Sequence, residues 1–290
     1  MAPIRYSSTD EDSARWRGFL FRPGDLVVCT RSKHGTTWVQ AILLLLIHRR
    51  VELPAPLAEL SPWLDHRVEP RERVFSRLEA QRHRRVVKTH TPLDGLPMDE
   101  RVTYVIAARH PLDAAVSLYH QGDNIDRERL HRLTGVEGKP DAGPRPPVEQ
   151  WLRRWIRAEA DPVRELDSLP GVFRHLRQAW SLRRQANVTL VHFADLLGDL
   201  AGQMERLAEL LGLEPPSEEL VGAATLEHMR QRADRLAPDV MNVLRARRSF
   251  FREGRSGTGA ELLSAADLRL YHGRAAALAP EDLLAWLHRT

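Results

Sequence analysis

The chain holds only three lysines among its 43 Lys and Arg residues, and two of them, Lys33 and Lys88, close short apolar runs inside segments of Gly, Thr and His. A lysine ammonium is a compact, strongly hydrated point charge suited to phosphate-like groups, and ligands of parallel sheets gather beyond the carboxyl ends of the strands. Lys33 lies in DLVVCTRSKHGTTWVQAILLLL, which reads as strand, tight turn and helix. Gly35 permits a turn with φ > 0, so the backbone N–H groups of Gly35, Thr36 and Thr37 can form an anion nest at a helix N-terminus. The bland alternative for Thr36 is a helix cap. The pattern is not G-x-x-x-x-G-K-[ST], because here the Lys precedes the Gly.

Lys88 is followed by His90 in VVKTHTPLDGLP, on the same side of an extended chain. A neighbouring ammonium lowers an imidazole pKa, which would leave His90 neutral near pH 7 and able to accept a proton, although most of the 13 His must be bystanders. A third strand–turn–helix segment, TYVIAARHPLDAAVSLYH, closes its strand with Arg109, puts Pro111 in the first helical turn and carries Ser117 about two turns on. Arg109 could grip a phosphate with its planar fork or simply pair with Asp113.

The elements that must position these residues are legible as periodicity. Four apolar runs, 26–29, 85–88, 103–107 and 188–193, predict buried strands, and between them Val39, Ile42, Leu43, Leu46 and Ile47, then Leu200, Met204, Leu207 and Leu211, recur at helical spacing. Alternating strands and helices predict an α/β fold, a single domain over 1–290 with a central parallel sheet flanked by helices. Segment 121–147, rich in Asp, Gly, Pro and Arg, reads as a surface excursion with one short helix near 127–133, either a connector or a lid. FFREGRSGTG interrupts two helical stretches before a new helix starts at 264–267.

Bulk composition narrows the classes. With 290 residues, 42% hydrophobic and 28% charged, the chain can bury a full core, and its longest apolar run, 41–47, is too short to cross a bilayer. The N-terminus lacks the apolar core of a secretory signal and the single Cys29 excludes an internal disulfide, so a cytoplasmic location is expected. The net charge of +4 is spread among alternating acids and bases, which argues against a nucleic-acid partner and suits an anionic small molecule. No His/Cys cluster has metal-ligand spacing, so no metal is expected.

Taken together, FLFRPGDLVVCTRSKHGTTW, KTHTP, R-x7-S and FFREGRSGTG resemble the cytosolic-type sulfotransferase family in order and spacing over most of the chain. That resemblance implies a P-loop nucleotide-kinase-like fold and transfer of a sulfuryl group from 3′-phosphoadenosine 5′-phosphosulfate (PAPS) to a hydroxyl or amine of a small-molecule acceptor, leaving PAP. It implies that Lys33, Gly35, Thr36 and Thr37 hold the 5′-phosphosulfate, that Trp38 stacks on adenine, and that Arg109 and Ser117 take the 3′-phosphate. His90 would be the general base, and Lys88 would stabilise the charge developing on the transferring group. Arg252 and Gly254 match the later R-K-G element, with Glu253 in place of its lysine; Phe193 replaces a Tyr near adenine and Leu226 the aromatic opposite Trp38. Arg31, Ser32 and His34 depart from the loop of the family.

For the acceptor, the resemblance points to Phe19, Phe21, Trp151, Trp155, Phe173, His175, Trp180 and the 121–147 segment, each of which could equally be core packing. Two other functions share the strand, anion loop and helix. A small-molecule or nucleoside kinase would need a strand-end carboxylate for Mg²⁺, for which Asp195 is the candidate; a non-catalytic anion or nucleic-acid binder would not need Lys88 beside His90.

Overall fold

The structure, a computed structural model, describes residues 3–136, 145–252 and 254–289. β1 (Leu26–Cys29) is apolar and buried at every position, so it needs cover on both faces and sits inside a parallel sheet. β2 (Val86–Thr89) and β3 (Thr103–Ala108) pair with its two edges, and β4 (Val188–His192) pairs with β3, giving the order β2-β1-β3-β4 with every pairing parallel. The chain passes from β1 to β2 on one side and then crosses to β3 on the other. The carboxyl end of β1 is therefore a topological switch point, where loops part and leave a crevice.

Leu26 and Val28 of β1 face a core built with α1 (Thr36–His48) and helix Leu200–Leu210, while Val27 and Cys29 face Trp16, Phe19 and Leu64 on the opposite side. α1 is buried from Thr36 through Leu46, which explains its unbroken apolar run. Helices Pro111–Asn124, Val148–Arg157, Leu169–Ser181, Ala265–Leu278 and Glu281–Leu287 share a further core around Phe173 and Tyr271.

The strand expectations hold with small shifts. The run expected at 85–88 moves on by one residue because Arg85 is not a strand residue: its buried guanidinium pairs with Asp25, Nε to Oδ1 2.8 Å, at the end of the sheet opposite the crevice. Phe193 leaves β4 to open a helix, since the His192 ring accepts from Ala194 N and caps it. Within 121–147, helix Arg127–Thr134 forms between the Asp126 and Gly135 caps, while 137–144 lies outside the described residues. Among the described residues no helix is long and apolar enough to cross a membrane.

Candidate active site

The loop leaving β1 reaches α1 through two left-handed residues, Lys33 at φ 65° and Gly35 at φ 108°. Gly35, the residue before the helix, offers no side chain to cap it, and the Thr36 hydroxyl is buried with no hydrogen-bond partner, so the helix-cap alternative for Thr36 fails. The first N–H groups of a 13-residue helix and an unused hydroxyl thus face the crevice, as an anion nest requires. Lys33 Nζ lies 3.4 Å from Gln121 Oε1 and 3.9 Å from the centre of the Phe250 ring. Burial, and then repulsion by Arg109, Lys88 and Arg252, brings its pKa down to about 7.

β2 delivers Lys88, and His90 follows at the strand end. Burial lowers the Lys88 pKa to about 8, with Glu11 and Asp65 opposing the fall. His90 is held well below the usual imidazole range, first by burial and only then by the neighbouring Lys88 ammonium that the sequence suggested as the cause. Its Nδ1 hydrogen-bonds the Thr30 carbonyl, which can only accept, so Nδ1 carries the proton and Nε2 keeps its lone pair. The His90 carbonyl in turn accepts from Arg31, whose fully buried guanidinium pairs with Glu11 at 3.1 Å and Asp167 at 2.8 Å. Arg31, an oddity in the sequence, is thereby a structural strut under His90.

Arg109, just past β3, lies with its guanidinium carbon 4.4 Å from the centre of the Phe193 ring and its Nε buried without a partner. The expected alternative, a salt bridge to Asp113, is a marginal contact of 4.0 Å. Asp113 instead gathers the C-terminal strap, accepting from Gly257 N at 2.9 Å, Thr258 Oγ1 at 3.1 Å and Gly259 N at 2.8 Å. That anchor holds Phe250, Phe251, Arg252 and Gly254 against the crevice. Trp38 is fixed by its indole N–H on Ala224 O at 2.7 Å and meets Phe193 edge to face at 5.1 Å. Gly254, at φ 62°, packs so closely on Leu226 that an added Cβ would come within 2.2 Å of it.

The three catalytic candidates His90, Lys88 and Lys33 share one cavity with Gly35, Thr36, Thr37, Trp38, Arg109, Ser117, Phe193, Leu226, Arg252 and Gly254. Glu253 lies outside the described residues. Asp195, the carboxylate a kinase would need, is tied to Arg289 at 2.7 Å and does not line the cavity.

The expected acceptor walls need correction. Phe19 and Phe21 pack with Trp16, Phe173 and Trp155 belong to the helical core, and Trp151 meets Tyr119; none lines the cavity. His175 bonds the Cys29 carbonyl and Trp180 packs on Trp286, so they are core residues as well. From 121–147, Gln121, Ile125 and Leu130 do line it. The sequence also missed the polar corner of Asp10, Glu11 and Asp167 and the aromatic pair Trp63 and His66. These come from the N-terminal segment and from loops between strands, where no periodicity or motif marks them.

Three comparisons bear on this site. The sequence pattern described as a sulfotransferase domain matches residues 23–266. A glycolipid sulfotransferase of Mycobacterium bovis (strain BCG / Pasteur 1173P2) is 37% identical over 308 residues, covering 98% of this chain and 94% of the relative. The solved structure of retinol dehydratase in a complex with retinol and PAP superposes with a TM-score of 0.67 at 19% identity, over 93% of this chain and 85% of the other, a likeness of fold.

Proposed function

The chain belongs to the sulfotransferase family, and we propose that it moves the sulfuryl group of PAPS to a hydroxyl of an amphiphilic, sugar-bearing acceptor, with His90 as general base and no metal. The observation that carries this reading is the charge pattern of the crevice. Lys33, Arg109 and Arg252 crowd together, the Arg109 Nε and Thr36 hydroxyl are buried and unpaired, and the first turn of α1 opens onto the same space. Such a cluster is costly without an anion and matches a nucleotide carrying phosphates at both ends.

When bound, PAPS supplies the sulfuryl group on a good leaving group. Lys33 and the backbone N–H groups of Gly35, Thr36 and Thr37 would hold its 5′ end, Arg109, Ser117 and Arg252 the 3′-phosphate, and Trp38, Phe193 and Leu226 the base. His90, kept neutral chiefly by burial and with Nε2 left unprotonated because Nδ1 carries the proton donated to Thr30, takes the acceptor proton at Nε2. A positioned base of this kind contributes ~10²–10⁴-fold. Lys88 presents its ammonium to the charge that develops during transfer, an effect worth about 10²–10³-fold by analogy with oxyanion donors.

The acceptor side favours an amphiphile. Asp10 and the Asp167 oxygen not held by Arg31 offer acceptors to sugar hydroxyls in the same cavity as His90, while Ile125, Leu130, Val243 and Leu244 give an apolar wall. The mycobacterial relative is named a glycolipid sulfotransferase, which supports the same class. A thermal-shift comparison of PAP, ATP, AMP and single-stranded DNA tests the nucleotide assignment: PAP alone should stabilise strongly. Equal stabilisation by AMP would remove the 3′-phosphate contact, and a preference for ATP with Mg²⁺ would favour phosphoryl transfer.

A further inference from the structure

Trp63 lies outside every motif that carries the sulfotransferase likeness, yet it touches both reacting side chains. Lys88 Nζ sits 3.9 Å from the centre of its ring, the His90 ring meets it edge-on at 4.5 Å and 76°, and His66 is stacked on it at 3.9 Å and 6°. Two groups this close cannot share one face, so the indole is a plate with His66 behind and the ammonium in front. Its backbone is locked to β2: Lys88 N donates to Pro62 O at 2.9 Å and Leu64 N to Lys88 O at 3.1 Å. Among the described residues no carboxylate forms an ion pair with Lys88. Glu11 is taken up by Arg31, and Asp65 Oδ2 accepts from the hydroxyls of Thr89 at 2.6 Å and Thr91 at 2.5 Å, while its Oδ1 is buried without a hydrogen-bond partner.

We propose that Trp63 is a positioning residue for the transfer step, its ring face holding the Lys88 ammonium and its T-shaped contact fixing the His90 imidazole, with His66 setting the plane of the indole. A buried ammonium without a counter-ion tends to lose its proton. The negative face of an indole offsets that tendency, more strongly than a phenyl ring and far more than an alkyl chain. The fields reaching Lys88 are those of Asp10, Glu11 and Asp65, which favour its charge, and of Arg31 and the Lys33 ammonium, which oppose it; the imidazoles of His66 and His90 complete its surroundings. This assignment rests on the proposed sulfuryl transfer for its kinetic consequence, but its electrostatic half can be read without any turnover.

The chain has three lysines, so the protonation of Lys88 can be followed alone, by mass-spectrometric measurement of its acylation rate against pH. Trp63→Leu and Trp63→Phe are compared with wild type, with PAP binding as the check on folding. The Lys88 titration should move to lower pH by about one unit in Trp63→Leu and by less in Trp63→Phe. In the transfer assay, kcat should fall roughly tenfold to thirtyfold in Trp63→Leu and only a few-fold in Trp63→Phe, with the alkaline limb of kcat moving in parallel. Should Trp63→Leu not fold, Trp63→Phe must still show a smaller shift in the same direction. An unmoved or raised Lys88 titration, or a rise in acceptor KM with kcat and its pH profile intact, would overturn the proposal and leave Trp63 a wall of the acceptor pocket. Absence of transfer in wild type together with the expected titration shift would instead discredit the activity while leaving the electrostatic role standing.

Discussion

Raising the pH should weaken PAP binding, because the open site holds Lys33 in a state that the nucleotide must reverse. Its pKa is about 7, lowered by burial and by the cations around it. A phosphate placed among those cations should restore it toward the ordinary lysine value of about 10.4. Below pH 7 the ammonium is already charged and affinity is at its maximum; above pH 7 each binding event must take up a proton. At a pKa of about 7, half of the ammonium is charged at pH 7 and roughly one part in a hundred at pH 9, so apparent affinity falls by up to about fiftyfold. Water in the open crevice screens part of the depression, which sets the lower bound near tenfold. Isothermal titration with PAP at pH 7 and 9, in buffers of different ionisation enthalpy, reads both quantities. Close to one proton should be taken up per PAP at pH 8, and Lys33→Met should abolish most of that uptake. A flat affinity with no proton uptake would refute the placement of Lys33 against the anion.

Four substitutions extend the test. His90→Ala should cut kcat by ~10²–10⁴-fold and Lys88→Ala by about 10²–10³-fold, each with PAP affinity nearly unchanged in a direct binding assay; near-normal turnover in either would cancel that role. Asp113→Ala strips the strap of its acceptor and leaves the N–H groups of Gly257 and Gly259 without their partner. At about 1–3 kcal/mol for each orphaned group it should lower Tm and weaken PAP binding at least tenfold, and unchanged affinity would show that the strap does not close on the nucleotide. Gly35→Ala forces a side chain into φ 108°, 3.3 Å from the Phe193 ring, and should cost about 1–2 kcal/mol of stability along with PAP affinity, seen as a lower Tm and a raised Kd.

Local chemistry made the sheet and the anion loop readable. β1 is a continuous apolar run, Gly35 is needed where φ is positive, and Lys33, Lys88 and Arg109 each lie at or just beyond the carboxyl end of a strand, so topology alone brings them to one edge. The acceptor side was not readable because nothing periodic defines it. Phe19, Phe173 and Trp155 carry large apolar surface and are consumed by the core, whereas Trp63, Asp10 and Glu11 reach the cavity through loops whose paths are set by distant contacts. Arg31 shows the same limit. In the sequence it is a departure from a motif, and only the fold reveals that Glu11 and Asp167 neutralise it beneath His90.

The most direct measurement is transfer of label from sulfur-labelled PAPS to a panel of glycolipids, simple alcohols and phenols by wild type and by His90→Ala, in the presence of a metal chelator. Labelled glycolipid with wild type, undiminished by the chelator and lost with His90→Ala, is the predicted result. Label transferred equally well by the variant, or no transfer to any acceptor while PAP still binds, would contradict a crevice built for sulfuryl transfer with His90 as its base.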